Sequence, residues 1–199
     1  IRIIDYKSSI KDIDLNEVKA GIKLQLLTYM NEMCKQESAE PAGAFYYNLI
    51  EPMVKASQNM SDEQIEEELR KQFKMRGLIL ADVDIIRKMD KNLDTGSSNI
   101  IPATINKDET LSKKASNISK QQFEYLQKYT NKIIKQISEE ILSGNINIKP
   151  YYNTKNKKTP CEYCTYKSIC QFENGICKKE YNYISNLEKE AILEMMKEK

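Results

Sequence analysis

The order of apolar and polar positions predicts strands alternating with helices. Ile1 to Tyr6 is dominated by β-branched residues and Tyr, as a strand is. Asp14 and Glu17 have capping-box spacing and open a helix predicted to run to about Lys35. Along it Val18, Ile22, Gln25 and Tyr29 fall at i, i+4, i+7 and i+11, which predicts one shared stripe with Gln25 as the polar intruder on a buried face. Glu40-Pro41 punctuates the chain. Ala42 to Ile50 then reads as a second, mostly buried strand that Pro52 ends.

Ser61 and Gln64 form the next capping box. An acidic first turn (Asp62, Glu63, Glu66, Glu67) and a basic last turn (Arg70, Lys71, Lys74, Arg76) complement the helix dipole, with Gly77 placed as the stop. That charge run reads as a solvated face. A short helix is predicted over Asp82 to Met89, then a strand over Ile100 to Ile105, at an edge or bulge because of Pro102. Asp108-Glu109 turns the chain back towards Ser112. Ser119 and Gln122 cap a long amphipathic helix carrying Phe123, Leu126, Ile133, Ile134, Ile137 and Ile141 on one face, closed by Gly144. A basic, loop-like stretch over 145–160 leads to a cysteine segment and a terminal helix of roughly Tyr183 to Lys197. Together these elements give an α/β fold divided as residues 1–150, a cysteine-rich segment 151–180 and a C-terminal helix 181–199.

Composition adds mainly exclusions. Lys+Arg and Asp+Glu nearly cancel, 31 against 29, so net charge neither demands nor excludes a nucleic-acid partner. There is no His, which removes every imidazole mechanism from this chain. Six Gly without a Gly-rich loop ending in Lys-Ser or Lys-Thr leave no P-loop. No apolar run approaches the ~20 residues of a membrane span. The chain starts at Ile1 directly on a strand, without a charged leader. It is therefore read as part of a larger intracellular, cytoplasmic protein.

Two constellations carry chemistry. Strand alternation puts Asp5 and Lys7 on one face. There a carboxylate can hold Mg²⁺, and an ammonium can stabilise charge developing on a phosphate. Further on, Cys161-Glu-Tyr-Cys164 and, five residues later, Cys170 have metal-ligand spacing. Zinc and an iron–sulfur cluster both usually take four ligands. Cys177 is the local candidate for the fourth, and Cys34 is remote in sequence.

Ile-Ile-Asp5-Tyr-Lys7-Ser, followed by Gly21-Ile-Lys-Leu-Gln25-Leu-Leu-Thr-Tyr29, resembles the PD-(D/E)XK nuclease superfamily in its RecB-like branch. The resemblance implies a mixed central sheet flanked by helices. It makes Asp5 a metal-binding acid, Lys7 the catalytic lysine, and Gln25 and Tyr29 the helix residues that brace the site. It also implies a first acid on a strand preceding Ile1, so that the chain alone is expected to cut DNA poorly or not at all. The stretch Lys157 to Cys170, with Glu40-Pro-Ala-Gly-Ala, Phe73-Lys-Met-Arg-Gly-Leu and Glu139-Glu-Ile-Leu-Ser-Gly144, is similar to the B subunits of bacterial AddAB (RexAB-type) helicase–nucleases.

That similarity implies several things at once. Cys161, Cys164 and Cys170 would bind a [4Fe–4S] cluster with a fourth cysteine upstream, leaving Cys177 a bystander. The partners would be DNA and a helicase-bearing A subunit, and the activity Mg²⁺-dependent cleavage of the 5′-ended strand in double-strand-break repair. The compact exonucleases of CRISPR adaptation share the motifs, but about 130 residues separate Tyr29 from Cys161 here, which disfavours them. A non-catalytic DNA-binding or scaffolding module with a relic site is the other alternative.

Overall fold

The computed structural model describes residues 1–49, 60–112, 116–172 and 181–197. Strand β1 (Arg2–Lys7) opens the chain as expected. The single helix predicted from Asp14 to Lys35 is two. Asp14 caps α1 (Leu15–Lys19) by accepting from the Asn16 amide at 2.9 Å, whereas Glu17 turns away from the cap and pairs with Lys23. The helix stops in a Schellman turn: Ile22 N donates to Glu17 O and Gly21 N to Val18 O. Gly21 takes the required positive φ of 81°, and the chain restarts as α2 (Gln25–Gln36). The predicted stripe is thereby cut. Val18 is buried on α1, Ile22 lies in the turn, and Gln25 and Tyr29 stand exposed on the first turns of α2.

Strand β2 (Gly43–Asn48) covers the predicted second strand; Ile50 and Pro52 lie outside the described residues. The Ser61/Gln64 capping box closes in both directions, at 3.1 and 3.3 Å, at the start of α3 (Asp62–Gln72). Gly77 is not the stop of that helix. The helix ends at Phe73, and Gly77 lies inside β3 (Arg76–Leu80), a strand the charge pattern concealed. At φ +141° a Cβ on Gly77 would run into the Ala44 carbonyl oxygen of the neighbouring strand, so glycine permits the close pairing.

Next come α4 (Val83–Met89), capped by Asp82, and then β4 (Gly96–Ser97) and β5 (Thr104–Ile105), which form a separate two-stranded ribbon. Only the last two residues of the strand predicted over 100–105 are extended, because Pro102 lacks the N–H that pairing needs. The turn at Asp108-Glu109 is as expected, with Asn106 N donating to Thr110 O at 2.8 Å and Ser112 N to Thr104 O at 3.0 Å. A second unforeseen strand, β6 (Asn117–Ile118), joins the main sheet. Ser119 and Gln122 cap α5 (Lys120–Leu142), again with both bonds of the box.

The central sheet runs β1-β2-β3-β6, with β1/β2 and β3/β6 parallel and β2/β3 antiparallel. Alternation sends Ala44, Tyr46, Leu78 and Leu80 to one face, where α1, α2 and α5 supply Val18, Leu26, Met30, Phe123 and Leu126. Phe45 and Ile79 face the other way, onto Ile86 of α4 and the Leu93 to Ile105 region. The expectation of a mixed sheet flanked by helices is met. The predicted face of α5 holds only over its first half. Phe123 and Leu126 are buried and Ile133 packs at the core's edge, but Ile137 and Ile141 are exposed. At 1.5 Å per residue the helix is ~35 Å long, while six-residue strands span ~20 Å, so its end outruns the sheet.

The stretch predicted as loop contains β7 (Tyr151–Asn153), which pairs in parallel with β8 (Asn182–Ile184). That pairing takes the first residues of the predicted terminal helix, so α7 spans only Lys189–Lys197. It buries Ile192, Leu193 and Met196 in the main core against α5 and α1. Between β7 and β8 lie a 3₁₀ turn (Pro160–Tyr163) and the single-turn α6 (Lys167–Cys170). Among the described residues no helix is long and apolar enough to cross a membrane.

Candidate active site

Asp5 and Lys7 sit at the end of β1, on the face shared with α2. Their register partners on β2 are Tyr46 and Asn48. Lys7 Nζ meets Asp5 Oδ2 at 2.8 Å, and this contact raises the Lys7 pKa above its ordinary value near 10.5. Lys7 therefore stays cationic at neutral pH. It also lies 5.8 Å from the centre of the Tyr46 ring. Apart from the ion pair, Asp5 Oδ2 has no aligned hydrogen-bond donor among the described residues and is shut away from solvent. A buried carboxylate oxygen so placed has lone pairs to spare, the donor chemistry a hard divalent cation takes. Asp5 therefore fits the role of a Mg²⁺ ligand.

Gln25 and Tyr29 occupy successive turns of α2, and Gln25 Nε2 donates to the Tyr29 hydroxyl at 3.1 Å. The pair is not buried as the stripe predicted: half of Tyr29's surface (51%) is open. Tyr29 lies close enough to bias Lys7 electrostatically. The bond leaves the Gln25 carbonyl and the Tyr29 hydroxyl proton free to address a ligand. Two local pairs about twenty residues apart, Asp5 with Lys7 and Gln25 with Tyr29, thus stand on adjoining elements.

Tyr46 and the Glu17–Lys23 ion pair were not foreseen. Tyr46 is buried, which raises its phenol pKa, and it feels the charges of Lys7, Asp5, Lys23 and Glu17. Only the register of β1 against β2 reveals it. The loop between β1 and α1 is tied down by Asn48, whose Oδ1 accepts from the Lys11 amide at 3.0 Å.

Cys161 and Cys170 are half-buried, Cys164 is exposed, all three are free thiols, and Cys34 is buried on α2. Among the described residues no three of Cys, Asp and Glu come together as a metal-holding group. The thiol donor set suits an iron–sulfur centre. Cys177 lies outside the described residues. Of the aromatics nearby, Tyr163 and Tyr166 are exposed, whereas Phe172 is buried edge-on against Tyr181, 4.8 Å between ring centres. Tyr152 and Tyr183 complete that aromatic cluster. Burial raises the Tyr181 pKa, and the Cys161 thiol beside it adds to the effect. Lys155, Lys157, Lys158 and Lys167 are exposed.

The mixed sheet thus carries a carboxylate–lysine pair at a strand end and a Gln–Tyr pair on the adjoining helix. Residues 1–171 match the PD-(D/E)XK nuclease superfamily, and the chain belongs to it. It is 42% identical, over 98% of its length, to the B subunit of the ATP-dependent helicase/deoxyribonuclease of Thermoanaerobacter sp. (strain X514). The proteins of the same name from Bacillus thuringiensis (strain Al Hakam) and Acetivibrio thermocellus are 40% and 38% identical, over 100% and 98% of this chain. The chain spans 17% of the length of each of these relatives.

Proposed function

We propose that this chain is the nuclease region of a helicase/deoxyribonuclease B-type subunit, hydrolysing one DNA strand with Mg²⁺ held at Asp5. The carrying observation is the buried Asp5 Oδ2, solvent-free and paired with Lys7 at 2.8 Å. Bound there, Mg²⁺ supplies charge neutralisation at the phosphate and a more acidic water. A divalent cation takes several oxygen ligands, so the full-length protein completes the site with a further acid. The Lys7 ammonium stabilises negative charge on the non-bridging oxygens as water attacks phosphorus and the bond to the leaving oxygen breaks. Gln25 and Tyr29 offer an acceptor and a donor that orient the water or the phosphate, fixed to one another by their own hydrogen bond. The attacking water gives up its proton to solvent, and the leaving oxygen takes one from solvent.

The wider setting follows the relatives. We read the protein as acting beside a helicase-bearing A subunit in the cytoplasm, on the 5′-ended strand, during double-strand-break repair. Cys161, Cys164 and Cys170 then bind a [4Fe–4S] cluster with a fourth thiolate from the remainder of the full-length protein. The test is cleavage of end-labelled DNA by the full-length complex. Activity should require Mg²⁺ and vanish in Asp5→Ala. Cleavage by Asp5→Ala at the parental rate would remove this strand end from the chemistry.

A further inference from the structure

Tyr6 stands between Asp5 and Lys7 but faces the other side of the sheet, and 62% of its surface is open to solvent. Its register partner is Tyr47, and the two rings meet edge to face with centres 5.7 Å apart. Tyr47 in turn lies nearly parallel to Phe73, the residue that ends α3, at 6.4 Å and 13°. Beyond Tyr47 and Phe73 opens a cavity of about 580 Å³ whose rim carries Arg70, Asn92, Ser97 and Asn99.

The chemistry of this corner distinguishes between ligands. Its cations are already engaged. Arg70 pairs with Glu66 at 2.6 Å, and Lys74 donates to the Ser97 hydroxyl and the Ser98 carbonyl. The buried carboxylate, Asp90, is used to hold the Ser98 hydroxyl at 2.7 Å. What remains is the open ring of Tyr6, braced edge-on by the half-buried Tyr47–Phe73 pair, beside amides and hydroxyls. An unpaired nucleobase needs that combination, a ring to stack on and edges to bond. A phosphate does not.

We propose that Tyr6, braced by Tyr47 and Phe73, is a stacking platform for an unpaired base adjoining the phosphate held at Asp5 and Lys7. The proposal rests on the nuclease reading above and deepens it. A DNA strand crossing the end of β1 with its phosphate on the Lys7 side lays the neighbouring base on the Tyr6 side. Paired bases are stacked on one another and have no face to offer. The platform therefore selects a frayed or unwound end over intact duplex.

The experiment uses the full-length protein carrying Asp5→Asn, which keeps DNA intact, and single-stranded oligonucleotides with one 2-aminopurine at successive positions. Stacking quenches this base, so one or two adjacent positions should darken on binding. Tyr6→Ala should restore their fluorescence. So should Tyr6→Leu, which keeps bulk without a π-face, while Tyr6→Phe should keep the quench. In the active protein Tyr6→Ala should raise KM for single-stranded DNA about five- to a hundred-fold, the worth of one stacked base, with kcat changing less. Circular dichroism of each variant checks the fold. Parental quenching in both Tyr6→Ala and Tyr6→Leu overturns the platform. So does a fall in kcat alone, which reports displacement of Asp5 or Lys7. Quenching that depends on Tyr6 in a parent that never cleaves DNA supports the base site and sinks the nuclease reading instead.

Discussion

Asp5 and Lys7 stand on a strand paired along all six of its residues, on a face sealed by a core drawn from four helices. Cys161, Cys164 and Cys170 stand on a 3₁₀ turn and a single turn of helix, held by the short β7/β8 pairing and a Thr159 cap. Tyr163, beside them, has 81% of its surface in solvent. The side chains of the first region are held in place by the fold. In the second, no three of the described Cys, Asp and Glu side chains converge as a metal-holding group. Where a core does the positioning, a site is pre-formed; where it does not, the ligand itself must supply the cross-link.

The largest expected effect separates the two regions outright. Lys7→Ala in the full-length protein should lower cleavage by roughly 10²–10³-fold, as loss of a transition-state donor does. Bound iron should not change. Gel assays of DNA cleavage with parallel iron analysis check both halves, and parental cleavage by Lys7→Ala would end the assignment.

Cys164→Ala should do the converse. Colour and iron should be lost from full-length protein purified without oxygen, and DNA binding should weaken as the segment loosens. One zinc and no iron per parental chain would replace the cluster reading.

Gly77→Ala attacks the sheet rather than the chemistry. With φ +141° and the Ala44 carbonyl in the way, it should cost about 1–3 kcal/mol in stability. Thermal denaturation reads this, and an unshifted midpoint would show that β3 can move.

Gln25→Ala removes a single neutral hydrogen bond at 3.1 Å and should cost only about tenfold in kcat. A loss as large as that of Lys7→Ala would mean that Gln25 contacts the reacting atoms directly.

The smallest effect concerns thiol reactivity in the absence of metal. Burial raises the Cys34 pKa above 9.0, which suppresses the thiolate, so Cys34 should resist iodoacetamide at neutral pH while exposed Cys164 reacts. Mass spectrometry of the native and unfolded chain distinguishes them, and equal rates for Cys34 and Cys164 in the native chain would contradict the burial.

The signals that the sequence carried reliably were local. Ser61 with Gln64 and Ser119 with Gln122 each satisfy two backbone groups within four residues, so their capping boxes were readable without a partner. Alternation alone put Asp5 and Lys7 on one face, and the motif named their companions Gln25 and Tyr29. Other features depended on what lay across a gap in space. Gly21 breaks the first helix so that Gln25 and Tyr29 open a new one at the site, although the apolar spacing runs on through the break. Gly77 resembled a helix stop in sequence, and only the approach of the Ala44 carbonyl explains it as a strand residue. Tyr46 behind Asp5, and Tyr47 against Tyr6, come from the register of two strands some forty residues apart, which no local pattern encodes. The sequence by itself determined which groups are available and how each short segment folds. Tertiary structure decided which of them meet, because meeting depends on pairing and burial across long stretches of chain.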